Sequence, residues 1–359
     1  MQLLERLTQT PAVPGREGRL RELIMSEAGH LFDQMQVDPM GSIIAVRHPR
    51  SKQSGAKKKT SKKKAGGSSK EPTKVMLAAH MDQIGFLVKH VDDNGFLRVQ
   101  NVGGFDTRNL FARLVTVCTE SGDLPGVMNV SGKPIHLASE EEKKKIPEVA
   151  DLMVDLGLPA DEVKQKVRVG DMVVMDVPFT EVGQTVVAQA LDNRVACWLV
   201  IRAIEQLEAH QCEIHCVFTV QEEVGLRGAM TSAYAVKPDI GIGVDTTLCI
   251  DTPGVSDDQA VTKQGQGAAL TVMDSASIGD PEILQTFEKL GDKHNIPYQR
   301  SILPRGGTDT AGIQRAGPGV RSFTLSCPTR YIHTVTEMVH RDDLYACRDL
   351  LHRYLEQVK

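Results

Sequence analysis

Nowhere in the 359 residues does an apolar run reach the roughly 18 residues of a membrane-spanning helix, which excludes that class of protein. The opening stretch, MQLLERLTQTPAVPGREGRL, is broken by polar residues before the apolar core of a signal peptide could form. An excess of one charge is missing too. A formal net charge of -4 lacks the basic surplus of a general nucleic-acid binder. Paired cysteines are absent: the seven thiols, an odd number, are scattered at Cys118, Cys197, Cys212, Cys216, Cys249, Cys327 and Cys347, and Cys212 and Cys216 lack the C-x-x-C spacing of a zinc knuckle. The pattern fits reduced thiols better than a disulfide scaffold. Reduced thiols serving as small core residues in a cytoplasmic protein are expected instead.

What is present is an ordinary globular composition, 41% hydrophobic and 25% charged, in a chain long enough for two domains. Early on, Leu20, Leu23, Ile24, Ala28 and Leu31 recur at helical spacing, and GSIIAV reads as a strand. Between Lys52 and Lys74 stand nine lysines among Gly and Ser, with almost nothing apolar to bury, so residues 51–74 are expected to form a mobile, solvated surface loop. From residue 87 to 180 the pattern is of short alternating runs separated by turn signals, with Asp93-Asn94-Gly95 as a hairpin turn. Helix and strand then alternate: VACWLVIRAIEQLE presents Ala196, Leu199, Val200, Ala203, Ile204 and Leu207 on one helical face, IHCVFTV, IGIGV and VRSFTL read as buried strands, and Leu344, Leu350, Leu351, Tyr354 and Leu355 define a terminal helix. The expectation is a mixed α/β domain, residues 1–86 and 181–359, interrupted by a small β-rich domain over 87–180.

The strand ends carry the chemistry. VMLAA runs into His80 and Asp82, IHCVFTVQ into Glu222-Glu223, IGIGV into Asp245, and SFTLSCPTRYI into His333, while Asp192 sits where the long helix begins. In open α/β sheets the carboxyl ends of the strands form the ligand crevice, so these segments deliver imidazoles and acids to one edge. His80, Asp192, Glu223, Asp245 and His333 suffice for two divalent ions of the zinc or cobalt type, manganese included, if one carboxylate bridges. Asp192 suits the bridge, with a plain helix N-cap as its alternative. Asp82 is expected behind His80, accepting the other ring proton. Glu222 and Glu223 diverge in extended backbone, so they divide into one ligand and one general base.

AAHMDQIG, VGGFDTRNL, ALDNR, VQEEVGLRGA, GVDTT with DTPG, PRGGTDTAGI and RYIHTVTE together resemble the M42 family of metallo-aminopeptidases, the tetrahedral aminopeptidases that include glutamyl and leucyl enzymes. The motifs follow the family's order over nearly the whole chain. The resemblance implies that His80, Asp192 and Asp245 hold one ion, that Asp192, Glu223 and His333 hold the other, and that Glu222 is the base. It also implies a zinc-exopeptidase-like catalytic domain, an inserted PDZ-like dimerisation domain, and dimers assembling into a hollow dodecamer. Thr308 and Asp309, in the Gly306-Gly307-Thr308-Asp309 loop, would help shape the substrate pocket, unless the loop is only a tight turn. Two departures stand out: the lysine-rich segment is unusually long, and Phe105 replaces a more usual tryptophan.

Such a site would activate a shared water and polarise a scissile carbonyl, with Glu222 passing the proton to the departing amine. Selectivity for short peptides with a free N-terminus would come from acids beyond the ligand set, namely Glu222, Asp251 and Asp309. A dinuclear carboxypeptidase or N-acyl amino acid deacylase is the alternative, using Arg194, Arg305 or Arg330 to hold a carboxylate. A cellulase-like glycosidase is weaker, because its paired carboxylates face each other across a sugar and the histidines would go unused. Neither nucleic acid nor membrane is an expected partner; a homo-oligomer is. Because the lysine-rich segment can bury so little, replacing residues 51–69 with a short Gly-Ser linker should leave kcat/KM on a small peptide nearly unchanged, and a steady-state assay checks this.

Overall fold

The computed structural model describes residues 1–51 and 71–359. The lysine-rich loop expectation therefore falls, for residues 52–70, outside the described residues. The fold is mixed α/β, built on an eleven-stranded mixed sheet. Its centre is four adjacent parallel strands, in the order Glu213–Thr219, Lys74–His80, Ile240–Leu248 and Arg321–Arg330. Antiparallel strands extend it at both sides, Ile43–Arg47 and Gln34–Val37 at one and Glu337–His340 and Thr185–Ala188 at the other.

The apolar runs are explained by burial on both faces of this sheet. In Lys74–His80 the side chains of Val75, Leu77 and Ala79 enter the main core, while Met76 and Ala78 enter a second core with Ala233, Val236 and Ile313. Alternate residues of one strand thus serve opposite layers. The helices Leu191–Gln206 and Arg341–Gln357 cover the first face, and Arg227–Val236 and Asp309–Gln314 cover the second. All six residues of the expected apolar face of the long helix are buried, Leu207 just past the helix end, but so are Cys197, Trp198 and Ile201. That helix is packed between the sheet and the terminal helix, so its apolar surface extends beyond a single stripe.

Between Gly85 and Met175 six strands close into a barrel with its own core of Phe86, Val88, Val115, Val117, Val154 and Val173. The Asp93-Asn94-Gly95 turn joins its first two strands, with the Asp92 carboxylate accepting from the amides of Asn94 and Phe96 at 2.9 Å and Gly95 at φ +88°. Phe105 stacks on Phe86 at 4.7 Å between ring centroids. A Cβ built on its neighbour Gly104 would lie 3.7 Å from the His333 ring, which puts this barrel loop beside the strand-end cluster.

Arg194 has a structural assignment. Its side chain is fully buried, and the guanidinium donates to the carbonyls of Leu7, Thr10 and Ala12 and to Gln83 Oε1 at 2.6 to 3.4 Å. It ties the N-terminal segment to the sheet edge and is not free to hold a substrate carboxylate. Replacing it strands several buried carbonyls, each costing about 1–3 kcal/mol. Arg194→Met should therefore lower stability by about 3 kcal/mol or more, seen as a lower Tm in calorimetry.

Candidate metal centre

Two parallel strands end at one level, and the third passes through it with Asp245 inside the strand, which continues to Leu248. Thr219 pairs with His80, and Gly243 pairs with Ala78, so Asp245, two residues further on, stands level with His80. The turn after Thr219 carries Glu222 and Glu223, and the segment after Arg321–Arg330 carries His333. Asp192 arrives from the first turn of Leu191–Gln206, where its backbone (φ -78°, ψ 106°) is not helical. Its N-cap alternative is not realised, because the carboxamide of Asn193, not Asp192, accepts the Ala196 amide at 3.3 Å. The Asn193 side chain also donates to the Val244 carbonyl at 3.0 Å, which fastens the helix start to the Asp245 strand.

The five expected ligands converge as two triads that share Asp192. His80, Asp192 and Asp245 form one, Asp192, Glu223 and His333 the other, and within each the ligating atoms lie within 4.8 Å of one another. His80 Nε2 is 3.2 Å from Asp192 Oδ1 and 3.8 Å from Asp245 Oδ1; His333 Nε2 is 3.5 Å from Asp192 Oδ2 and 3.3 Å from Glu223 Oε2. Asp192 Oδ1 and Glu223 Oε1 are buried with no hydrogen bond among the described residues. Oxygens of this kind are costly to bury unless a cation receives them.

The electrostatics agree. Burial raises the carboxyls of Glu222, Glu223 and Asp245, and repulsion from neighbouring carboxylates, Asp192 beside Glu223 and Asp245 among them, adds to it. Burial opposes a charge on His333, yet the carboxylates of Asp192 and Glu223 push its ring up to about 12. For Asp192, burial is outweighed by the two imidazoles, which hold its carboxyl far below the usual range. Four acids and two imidazoles facing one small volume fit divalent ions that accept nitrogen and oxygen together.

Asp82 stands behind His80, but by a different contact from the one expected. Its main-chain carbonyl, not its carboxylate, is the near partner of His80 Nδ1, at 3.0 Å against 3.8 Å. The carboxylate is already engaged, accepting from the amides of Glu222 and Glu223 at 3.0 and 3.1 Å. Glu17 extends the arrangement, taking the Gln221 amide at 3.1 Å. Three successive amides are thus held by two buried carboxylates, with Gln221 at φ +56°. Glu337 plays the matching part opposite, accepting from the amides of Asp192 and His333, both at 2.9 Å. Nothing in the spacing of Glu17 marked it, whereas Glu337 closes the RYIHTVTE stretch that signalled His333.

A cavity of about 560 Å³ opens over the cluster, and Thr308 lines it. Asp309 does not. Its carboxylate accepts from the Thr219 hydroxyl beneath the floor, and burial pushes its carboxyl up to about 6. Asp251 is likewise not a free acid, since it is paired with Arg330 at 2.7 and 2.9 Å, which also occupies that arginine. The pair holds Asp251 down to about 2, so its stabilisation is complete above the unfolded value near 3.8 and is lost as pH falls through 2. Asp251→Asn should cost about 1 kcal/mol at neutral pH, after screening of the partly exposed arginine, and only a small part of that near pH 2. Denaturant titrations at the two pH values check this.

Comparison with known proteins places this geometry. The family model of the M42 glutamyl aminopeptidases matches residues 61–350. A putative aminopeptidase of Acetivibrio thermocellus is 35% identical over 95% of this chain and 94% of its own length. The lysyl aminopeptidase of Pyrococcus furiosus is 31% identical, covering 100% of this chain and 97% of that one. Among solved structures, the TET1 peptidase of Pyrococcus horikoshii, which can assemble into a tetrahedron or a large octahedral shell, superposes with a TM-score of 0.84 at 29% identity, over 99% of each chain. The strand-end cluster, the order of its motifs and these matches along the full chain make this protein a member of the M42 family of metallo-aminopeptidases, hydrolases of peptide bonds.

Proposed function

We propose that the chain is a dinuclear aminopeptidase in which His80, Asp192 and Asp245 hold one divalent ion, zinc or cobalt, and Asp192, Glu223 and His333 hold the second. The observation that carries this is the pair of triads sharing one carboxylate, with Glu222 beside them and no hydrogen bond to its own carboxylate among the described residues. The ions, when bound, polarise the scissile carbonyl and make water a nucleophile near neutral pH. Glu222 takes the proton from that water and delivers it to the departing amine, an exchange worth on the order of 10² to 10⁴ in rate. Asp82 and Glu17 keep Glu222 in place by fixing the amides of residues 221–223. With Asp251 and Asp309 engaged elsewhere, Glu222 is the acid of those three that lines the cavity, and the ammonium of the peptide is received beside it at the acid-rich end.

The rivals are weakened unequally. A glycosidase needs carboxylates facing each other across a sugar, whereas Glu222 and Glu223 offer oxygens to a single group with His80. A carboxypeptidase or deacylase keeps one supporting observation: with Arg194 and Arg330 occupied, Arg305 still lines the cavity.

We further assign dimerisation to the inserted barrel and a closed homo-oligomer to the protein, since Leu114, Val127, Ile135, Leu137, Ile146 and Val169 are exposed on or beside the barrel. The seven cysteines are unpaired and buried, and no helix among the described residues is long and apolar enough to cross a membrane. This supports a reducing, cytoplasmic setting.

Peptide p-nitroanilides with a free N-terminus should be hydrolysed, chelator should abolish turnover, and zinc or cobalt should restore it. Equal or faster cleavage of the N-acetylated peptide would overturn the reading. Glu222→Gln should retain both ions and lose at least a hundredfold in kcat, while Glu223→Gln should lose an ion in elemental analysis of the purified protein.

A further inference from the structure

The charges lining the cavity are separated by sign. Asp192, Glu222, Glu223 and Asp245 gather with the two imidazoles, while the only Lys or Arg among the described lining residues is Arg305. Its charge is unspent. The guanidinium makes no ion pair and no hydrogen bond to any described residue, in contrast with Arg19, Arg300, Arg321 and Arg330, each of which is paired with a carboxylate.

The mount beneath Arg305 is fixed on both sides. The Leu303 amide donates to the Met273 carbonyl at 2.9 Å, the Gly306 carbonyl accepts from the Ser275 amide at 3.0 Å, and the Thr308 hydroxyl reaches Asp274 at 3.1 Å. Gly306 sits at φ +96°, a conformation that suits glycine, and a Cβ at Gly307 would come within 3.0 Å of Ala276. The loop is therefore braced against the 273–277 segment and holds one free guanidinium over the cavity.

We propose that Arg305 selects the side chain of the substrate, and that the enzyme takes peptides whose N-terminal residue is glutamate or aspartate. The inference rests on the aminopeptidase reading above. With the ammonium end of the substrate held at the acidic cluster, the first side chain occupies the remaining volume of the cavity. A carboxylate there meets a planar fork of donors that matches it with two parallel hydrogen bonds. A lysine side chain meets like charge, and an aliphatic one covers the guanidinium without replacing its water. Arg305 is exposed in the free protein, so the pairing is partly screened, and the preference weakens as ionic strength rises.

The test is kcat/KM for Glu-, Asp-, Leu- and Lys-p-nitroanilide with metal-loaded wild type and with Arg305→Met, Arg305→Lys and Arg305→Glu. These substrates carry no terminal carboxylate, so an acidic preference reads the side chain alone. Wild type should favour Glu over Leu and over Lys by at least tenfold. Arg305→Met should reduce both ratios at least tenfold, chiefly through KM, Arg305→Lys should retain part of them, and Arg305→Glu should turn the preference toward Lys. As a readout independent of turnover, calorimetry should detect free glutamate binding more tightly than leucine to wild type and lose that difference in Arg305→Met. A wild type that prefers leucine or lysine, or an Arg305→Met variant that loses the same factor on every substrate, would overturn the assignment. Failure of the aminopeptidase reading has a different signature. No free-amine p-nitroanilide would be cleaved, N-acetyl peptides with a free C-terminus would be, and Arg305→Met would abolish that cleavage, overturning the selector role in favour of terminal-carboxylate binding.

Discussion

The constraint on which the structure depends is the burial of four carboxylates, Asp192, Glu222, Glu223 and Asp245, at one strand edge with two imidazoles for company. Like charges at such distances in a medium of low dielectric repel strongly, and burial raises three of the four acids. Bound positive charge relieves that repulsion, and the groups of side chains able to receive it share Asp192, His80 and Glu223 among them.

A second set of buried acids acts on the backbone. Asp82 and Glu17 hold three successive amides of the Gln221-Glu222-Glu223 turn, and Glu337 holds the amides of Asp192 and His333. Carboxylates therefore occupy two shells, an inner one whose lone pairs face a common point and an outer one whose lone pairs are filled by N–H donors. The outer acids offset their own burial through those charge-assisted bonds, and in doing so they remove freedom from the inner ones. The barrel contributes by proximity, since its chain leaves the sheet a few residues after His80 and its Gly104 loop returns beside His333.

Much of this was legible along the chain. The runs around Val75, Ile214 and Ile242 read as buried strands because parallel strands covered on both faces are apolar at nearly every position. The strand-end acids and histidines were legible because such ends collect in the crevice of an α/β sheet. Closure of the barrel was not, since alternation reports which face of a strand is buried and says nothing about which edges meet. The lone acid Glu17 was equally silent, and Asp251, Asp309, Arg194 and Arg330 looked available because a sequence shows which charges exist but not which are already paired.

What the sequence by itself determined is therefore a set of local facts: an α/β pattern, an alternating insertion, and metal-binding residue types at the ends of particular segments. Period and residue chemistry are properties of neighbours along the chain, and they are readable there. Tertiary structure alone decided the rest, because it depends on distances between remote segments. It allotted the Asp82 carboxylate to backbone amides, gave the helix cap to Asn193, turned Asp309 away from the cavity and committed Arg194 and Arg330 to other partners. By the same pairings it left Arg305 as the uncommitted cation over the site among the described residues, since a charge is free only when the fold brings no opposite charge within reach.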